Sequence, residues 1–279
     1  MYFLMIKKNY GILKIVFYLC FYYTVSYVFK GDKYNGRLIV KEKWQRCVSD
    51  VLRKYFFNNI NITGEMKKSD DNKIDLLVAN HISTIDFLII IVILCQFNIP
   101  NYYFVFKDSI IKIPIVGPLL SDDIRLTRNW ENDEGLISDQ LKNIKNGTII
   151  IYPEGTRYDN KKHKQSMEYC IQNKLPIYNY TLAPKAKGLH CMFSILSNSN
   201  RLGKIYDLTL IMPKYINKTM YLTKLLGASE IGDLEVYIRE LLFNKYDLNY
   251  ESFKKTLYKH WLSKNMVIDL YLKNLSKLT

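Results

Sequence analysis

The chain has 279 residues, of which 48% are apolar and 24% charged, and it carries a formal net charge of +14. This composition excludes an intrinsically disordered chain, and the length suits one catalytic domain with appendages. The basic balance indicates polyanionic partners: nucleic acid, anionic lipid head groups or phosphorylated substrates. The five cysteines are scattered and form no CxxC pair, so the sequence predicts neither a metal site nor a disulfide framework.

The N-terminal region is the most apolar part of the sequence near either end. Residues 11–29 are interrupted only by Lys14, Thr24 and Ser26. Such a stretch approaches the ~20 residues that cross a bilayer. No small-residue cleavage site follows it, which favours a retained anchor over a signal peptide. We therefore expect residues 1–35 to form a membrane anchor.

The next segment, residues 36–71, is polar and basic, and part of it has a helical pattern. Lysines and arginines close to an anionic membrane surface contribute about 1 kcal/mol each to binding. The segment is therefore expected to be a connector with a membrane-associated helix. A plain solvated face fits the same residues.

The turn around His81 is the first candidate site. An apolar run before it predicts a strand, and residues 84–97 predict a buried helix with Ser83 or Thr84 as its N-cap. His81 therefore lies where a strand ends and a helix begins. Asp86 follows five residues later and can accept a hydrogen bond from one imidazole nitrogen, which leaves the other nitrogen free as a base.

The remaining chain alternates short apolar runs with amphipathic ones. This alternation predicts an α/β fold, with a single catalytic domain at 72–215 built on a central, largely parallel sheet flanked by helices. Residues 216–279 are expected to form a helical extension. The predicted strands are 73–79, 102–106, 124–127, 148–152, 180–183 and 205–212, and the predicted helices include 131–145, 163–172, 188–197 and 234–243.

A second polar turn, Pro153 to Arg157, follows the predicted strand 148–152 and reads Pro-Glu-Gly-Thr-Arg. Ligand sites in open α/β sheets lie at the ends of strands, so this turn is expected to face His81. A histidine with a nearby aspartate is often only structural. The two turns taken together favour a functional site over that interpretation.

These two turns resemble the glycerophospholipid acyltransferase family, the lysophosphatidic acid acyltransferases and their relatives. The family's first motif is Asn-His, four residues and Asp, which is matched by Asn80, His81 and Asp86. Its third motif is Pro-Glu-Gly-Thr-Arg. Arg128 and Pro184 are weaker matches to the second and fourth motifs, and the residues around them look most like the lysocardiolipin and lysophosphatidylinositol branch.

The resemblance implies transfer of a fatty acyl group from acyl-CoA to the free hydroxyl of a lysophospholipid. The first acceptor to expect is 1-acyl-sn-glycerol-3-phosphate, which gives phosphatidic acid, and lysocardiolipin or lysophosphatidylinositol are the alternatives. The resemblance implies no cofactor, with acyl-CoA as co-substrate. It also places the protein on the endoplasmic reticulum or another intracellular membrane with anionic head groups.

The roles of the site residues follow from this reaction. His81, oriented by Asp86, would remove the proton of the attacking hydroxyl. Arg128 and Arg157 would bind the acceptor phosphate, because a guanidinium group matches phosphate geometry. The rest of the second turn would complete the substrate site: Glu154 would orient Arg157 or an acceptor hydroxyl, Gly155 would donate its amide to the oxyanion, and Thr156 would line the site.

A protein of a different class, a non-enzymatic basic module that binds nucleic acid or a membrane, remains the competing hypothesis. The sequence contains no RNP-like aromatic pattern, no zinc-ligand spacing and no basic helix. It also contains no glycine-rich phosphate loop of the GxGxxG or GxxxxGK type. We therefore expect no nucleic-acid partner.

Overall fold

A computed structural model describes residues 9–18, 20–21, 24, 35–112, 123–216, 218 and 231–278. Its centre is a seven-stranded sheet in the order β1-β7-β6-β2-β5-β3-β4. The strands are β1 (Phe57–Thr63), β2 (Ile74–Ala79), β3 (Tyr102–Lys107), β4 (Ile124–Leu126), β5 (Gly147–Ile151), β6 (Leu202–Ile211) and β7 (Gly232–Glu240).

Helices cover both faces of this sheet. They are α1 (Asn35–Tyr55), α2 (Asp86–Gln96), α3 (Trp130–Asn143), α4 (Asn160–Gln172), α5 (Ala186–Asn198) and α6 (Tyr250–Leu278). Strands β2 to β6 pair in parallel, β6 pairs with β7 antiparallel, and β1 runs parallel to β7. The predicted α/β fold with a largely parallel sheet is confirmed.

The central strand β2 shows why this sheet is buried on both faces. Leu77 and Ala79 pack into the cluster that holds α1 and α2. Ile74, Leu76 and Val78 pack into the opposite cluster, with α3, α5 and α6. Side chains alternate across a strand, so a strand covered on both faces is apolar at nearly every position; Asp75 is the exception in β2. At about 1.5–3 kcal/mol for each large aliphatic side chain, this burial holds the site-bearing strands in place.

The predicted N-terminal anchor lies largely outside the described residues and stays a prediction. Residues 9–18 are helical, and Ile12 and Ile15 pack against the core cluster of α1 and α2. No helix in the described ranges combines the length and apolarity needed to cross a bilayer. Large apolar side chains are exposed along this segment at Tyr10, Leu13, Val16, Phe17 and Phe21.

Three secondary-structure predictions are wrong. Residues 234–243 were expected to be helical, but most of them form β7, in which buried and partly exposed residues alternate. The polar connector 36–71 contains β1, an edge strand that the sequence did not indicate. Residues 180–183 form no strand, because their backbone groups pair with side chains of other elements instead. The sheet therefore draws strands from both sides of the predicted 72–215 domain.

Candidate active site

The His81 turn follows β2 directly and leads into α2. The Nδ1 atom of His81 lies 2.8 Å from Oδ2 of Asp86, and the Asp86 side chain is fully buried. The His81 side chain keeps 22% of its surface exposed. The aspartate therefore occupies one ring nitrogen, and Nε2 remains for a substrate to approach.

Asp86 is the first residue of α2 and organises the whole turn. Its Oδ2 also accepts the N–H groups of Ile82 (2.7 Å) and Ser83 (3.0 Å), and its Oδ1 accepts the Ser83 hydroxyl. The helix begins two residues later than predicted, and Ile85 occupies the N-cap position without a side-chain cap. The expectation that Ser83 or Thr84 caps the helix is therefore wrong, because the Asp86 carboxylate gathers these amides.

The second turn meets the first because their strands are neighbours. Strands β2 and β5 pair in parallel, with Val78 opposite Ile151, so both chains leave the sheet at the same edge. The backbone N–H of Tyr158 donates to the His81 carbonyl at 2.8 Å. The ring of Tyr152 stacks on the imidazole, with 4.3 Å between centroids. The imidazole is thus held between Asp86 and an aromatic face.

The Glu154 side chain links the two turns through hydrogen bonds. Its side chain is buried, and its carboxylate accepts the His81 N–H (3.1 Å) at Oε1 and the Leu182 N–H (3.2 Å) at Oε2. Burial raises the pKa of Glu154 to about 8, although both N–H groups and the nearby Lys264 charge act to lower it. The predicted contact with Arg157 is absent from the described contacts, because the carboxylate points towards the His81 backbone.

Arg128 reaches the second turn from the loop after β4. Its backbone is left-handed (φ 70°), and its Nη2 donates to the Gly155 carbonyl at 2.9 Å. Asp133 fixes this conformation: its carboxylate accepts the N–H groups of Thr127 (2.6 Å) and Arg128 (3.0 Å). The left-handed conformation costs an L-residue roughly 1–2 kcal/mol. The hydrogen bonds to Asp133 therefore hold the Arg128 backbone in it.

Gly155 lies at the exposed tip of the second turn, with φ at 67°. A Cβ added there would meet the Lys185 side chain at 3.4–3.8 Å, so Lys185 lies directly over this glycine. The Gly155 N–H donates to the Tyr152 carbonyl at 2.9 Å. It is therefore already used within the turn, which contradicts the expectation that it is free to hold an oxyanion.

Arg157 and Thr156 are partly buried in the same turn. Within the described ranges, the Arg157 guanidinium group makes no hydrogen bond or ion pair with the protein. Its charge is therefore available to a ligand. Arg128 and Lys185 both lie at Gly155, so three basic residues either belong to this turn or reach it.

Sequence reasoning missed the roles of four residues that shape this site: Ser83, which was expected only to cap a helix, Asp133, Tyr152 and Lys185. Two of them had a usable signal. Asp133 stands four residues after Asn129, which caps α3, and Lys185 follows the proline of the candidate fourth motif. The roles of Ser83 and Tyr152 depend on contacts across the turns, which no local pattern indicates.

Comparison with known proteins gives a consistent result. Residues 59–189 match the family model described as Acyltransferase. A probable 1-acyl-sn-glycerol-3-phosphate acyltransferase 5 from Arabidopsis thaliana is 31% identical over 182 residues, covering 60% of this chain and 48% of the relative. The 1-acyl-sn-glycerol-3-phosphate acyltransferase delta of Bos taurus is 28% identical over 179 residues, covering 60% and 44%. The chain spans about half the length of these curated relatives.

Among solved structures, the 1-acyl-sn-glycerophosphate (LPA) acyltransferase PlsC from Thermotoga maritima is similar along nearly the whole chain. The TM-score is 0.52 at 18% sequence identity, with 98% of this chain and 95% of that chain covered. At this identity the likeness establishes a shared fold.

Proposed function

We propose that this chain, whose residues 59–189 match the Acyltransferase family model, acylates a lysophospholipid with acyl-CoA as donor. The proposed acceptor is 1-acyl-sn-glycerol-3-phosphate, which the names of the similar Arabidopsis and bovine proteins support. The observation that carries the proposal is the Asp86-bound imidazole of His81, whose turn adjoins a second turn at which Arg128 and Lys185 both lie against Gly155.

His81 acts as the general base. Its Nδ1 is bound to Asp86, so Nε2 takes the proton of the acceptor hydroxyl as the hydroxyl oxygen bonds to the thioester carbonyl carbon. The tetrahedral intermediate then collapses with cleavage of the carbon–sulfur bond. The departing thiolate takes the proton from the imidazolium, which leaves an ester, free CoA and neutral His81.

The acyl group passes directly to the acceptor without an acyl-enzyme. Ser83 is the serine nearest to His81 in the sequence, but it is fully buried and its hydroxyl donates to Asp86. It therefore has neither the exposure nor the base contact of a nucleophile. The acceptor supplies the only hydroxyl that the reaction needs.

The acceptor phosphate binds at the second turn. The Arg157 guanidinium group has no protein partner within the described residues, Arg128 is held against the Gly155 carbonyl, and Lys185 lies over that glycine. Guanidinium groups bind phosphate in a bidentate manner, and a flexible ammonium adds a third charge. A phosphate bound at this turn would direct the acceptor hydroxyl towards the adjoining His81 turn.

Acyl-CoA and the lysophospholipid both carry a fatty chain, and a small cleft next to the His81 turn has a mostly apolar and aromatic lining that includes Ile82, Tyr158, Leu210, Met212 and Ile268. Substrates with such chains are held in bilayers, so the protein works at an intracellular membrane such as the endoplasmic reticulum. The exposed apolar side chains at 10–21 support contact with lipid, as does the basic net charge.

A direct assay tests the proposal. Membranes that contain the protein are incubated with labelled acyl-CoA and a panel of lysophospholipids, with empty membranes as control. Label is expected in phosphatidic acid first, and the protein is expected to need detergent for extraction. Transfer to no lysophospholipid in the panel, together with release by salt or nuclease, would contradict the proposal and favour the basic nucleic-acid module.

A further inference from the structure

Helix α6 lies outside the part of the chain that matches the family model, yet it holds residues next to the site. Asn265 accepts the Tyr180 N–H at Oδ1 (2.9 Å) and donates from Nδ2 to the Thr181 hydroxyl (2.8 Å). Trp261 donates from Nε1 to the Leu182 carbonyl (2.9 Å). Three consecutive residues, 180–182, are thus bound by side chains of one helix.

These contacts are made in a dry environment. Thr181 is fully buried, and Leu182, Trp261 and Asn265 are 5% exposed or less. Each buried polar group that loses its hydrogen-bond partner costs about 1–3 kcal/mol of folding free energy, because water does not replace the bond. The hydrogen bonds from α6 therefore fix the position of segment 180–182.

Helix α6 is itself tied to the sheet at this point. Lys264 is fully buried, and its Nζ lies 2.5 Å from Oδ1 of Asp207 and 2.7 Å from the Leu208 carbonyl on β6. Arg239 on β7 binds the other oxygen of Asp207 (2.9 Å) and donates to the His260 carbonyl (2.8 Å). The helix is thus a fixed base for the segment it binds.

From residues 180–182 two short connections lead to the proposed active site. The Leu182 N–H donates to Glu154, whose other carboxylate oxygen accepts the His81 N–H. Three residues further on, the Lys185 N–H donates to the Pro153 carbonyl at 2.8 Å, and the Lys185 side chain covers Gly155. A shift of this segment would move both the His81 backbone and the second turn.

We propose that Trp261 and Asn265 are positioning residues for acyl transfer, which hold His81 in register with the second turn through segment 180–182 and Glu154. The inference rests on the proposed function for its catalytic part. Neither residue lies within the matched 59–189 domain, so that domain depends on the C-terminal helix for the geometry of its site.

The test compares two buried residues of the same helix. Asn265→Leu keeps the size of the side chain and removes its amide bonds. Phe253→Leu is the control: Phe253 is fully buried and packs on Phe193 and Phe243, with ring centroids 5.2 and 4.7 Å away, in an aromatic cluster near the start of α6. Both variants are measured as the full chain, for thermal stability, kcat and KM, and by hydrogen exchange.

Asn265→Leu is expected to lower kcat by about 10- to 100-fold in the folded protein, with little change in KM for acyl-CoA. Peptides that contain His81 and Leu182 should exchange faster relative to peptides from β1. Phe253→Leu should lose comparable stability while it keeps kcat and the exchange at His81. Trp261→Phe, which removes the indole N–H together with the five-membered ring, should shift kcat in the same direction as Asn265→Leu.

An unchanged kcat in Asn265→Leu would overturn the proposal, and so would an equal loss of kcat in Phe253→Leu, which would indicate general destabilisation. If the wild-type chain is inactive with acyl-CoA, the proposed function is wrong. The positioning role is then tested by the hydrogen-exchange measurement alone. Faster exchange at His81 in Asn265→Leu would then support the positioning role, and unchanged exchange would overturn it.

Discussion

The Nδ1 atom of His81 lies 2.8 Å from the Oδ2 atom of Asp86, a carboxylate without solvent exposure that also gathers two backbone amides of the same turn. The same carboxylate therefore fixes both the imidazole and the backbone of the turn. A base fixed in this way has its free nitrogen directed before substrate arrives, which reduces the rearrangement needed in the transition state.

Asp86→Asn tests this pair. An amide cannot accept from the imidazole and from both backbone N–H groups as the carboxylate does, so the ring loses its fixed tautomer. We expect acyl transfer to fall by about 10²–10⁴-fold, the range for a misoriented general base. Steady-state kinetics with labelled acyl-CoA measures this. Asp139→Asn is the control, because Asp139 is exposed and forms a surface ion pair with Lys142. This variant should keep full activity.

Arg128 gives a paired test of charge and backbone strain. Arg128→Ala and Arg128→Gly both remove the guanidinium group, so both should raise KM for the lysophospholipid by at least about 10-fold. Glycine adopts the left-handed backbone of this position (φ 70°) without strain, so Arg128→Gly should be more stable than Arg128→Ala by about 1 kcal/mol. Urea unfolding measures that difference. Equal KM values for wild type and both variants would remove Arg128 from the acceptor site.

Glu154 predicts a pH dependence of stability. Its pKa is raised by burial to about 8 from its ordinary value of 4.5. The folded protein therefore holds this proton more tightly than the unfolded chain. The resulting stabilisation is fully present below about pH 4.5 and is lost as the pH rises to about 8.

Glu154→Gln removes this titration. Between pH 5 and pH 8, the unfolding free energy of the wild-type protein should fall by a few kcal/mol relative to that of Glu154→Gln. Urea denaturation of both proteins at several pH values gives the difference, in which the contributions of the histidines cancel. A constant difference across this range would show that Glu154 does not bind its proton as proposed.

Much of the central sheet was predictable because its strands are buried on both faces and are therefore rich in apolar residues, although Asp75 and Asp207 are buried polar positions in β2 and β6. Strand β1 was not, because it is an edge strand whose exposed positions are mostly asparagines; Asn59 and Asn61 pair with Asp233 and Glu235 of the neighbouring β7. That pairing, across a large sequence separation, has no local signal.

Strand β7 was mistaken for a helix because its pattern is ambiguous. Leu234, Val236 and Ile238 alternate, as a half-buried strand requires, but Leu234, Ile238 and Leu241 also follow helical spacing. The meeting of the two motif turns was predictable, because each turn follows a strand of the same parallel sheet. The supporting residues were not: Glu154 turns towards a backbone amide, and Trp261 and Asn265 come from a helix far along the chain, which only the tertiary fold reveals.

The central claim is that the imidazole of His81 removes the proton from the acceptor hydroxyl. The measurement that tests it most directly is the rate of acyl transfer from labelled acyl-CoA to the preferred lysophospholipid by His81→Ala, at equal amounts of folded protein. His190→Gln, at a histidine that binds the Leu248 carbonyl away from the site, is the control. We predict that His81→Ala lowers the rate by about 10²–10⁴-fold and that His190→Gln leaves it unchanged. Turnover of His81→Ala equal to that of the wild-type protein would contradict the account.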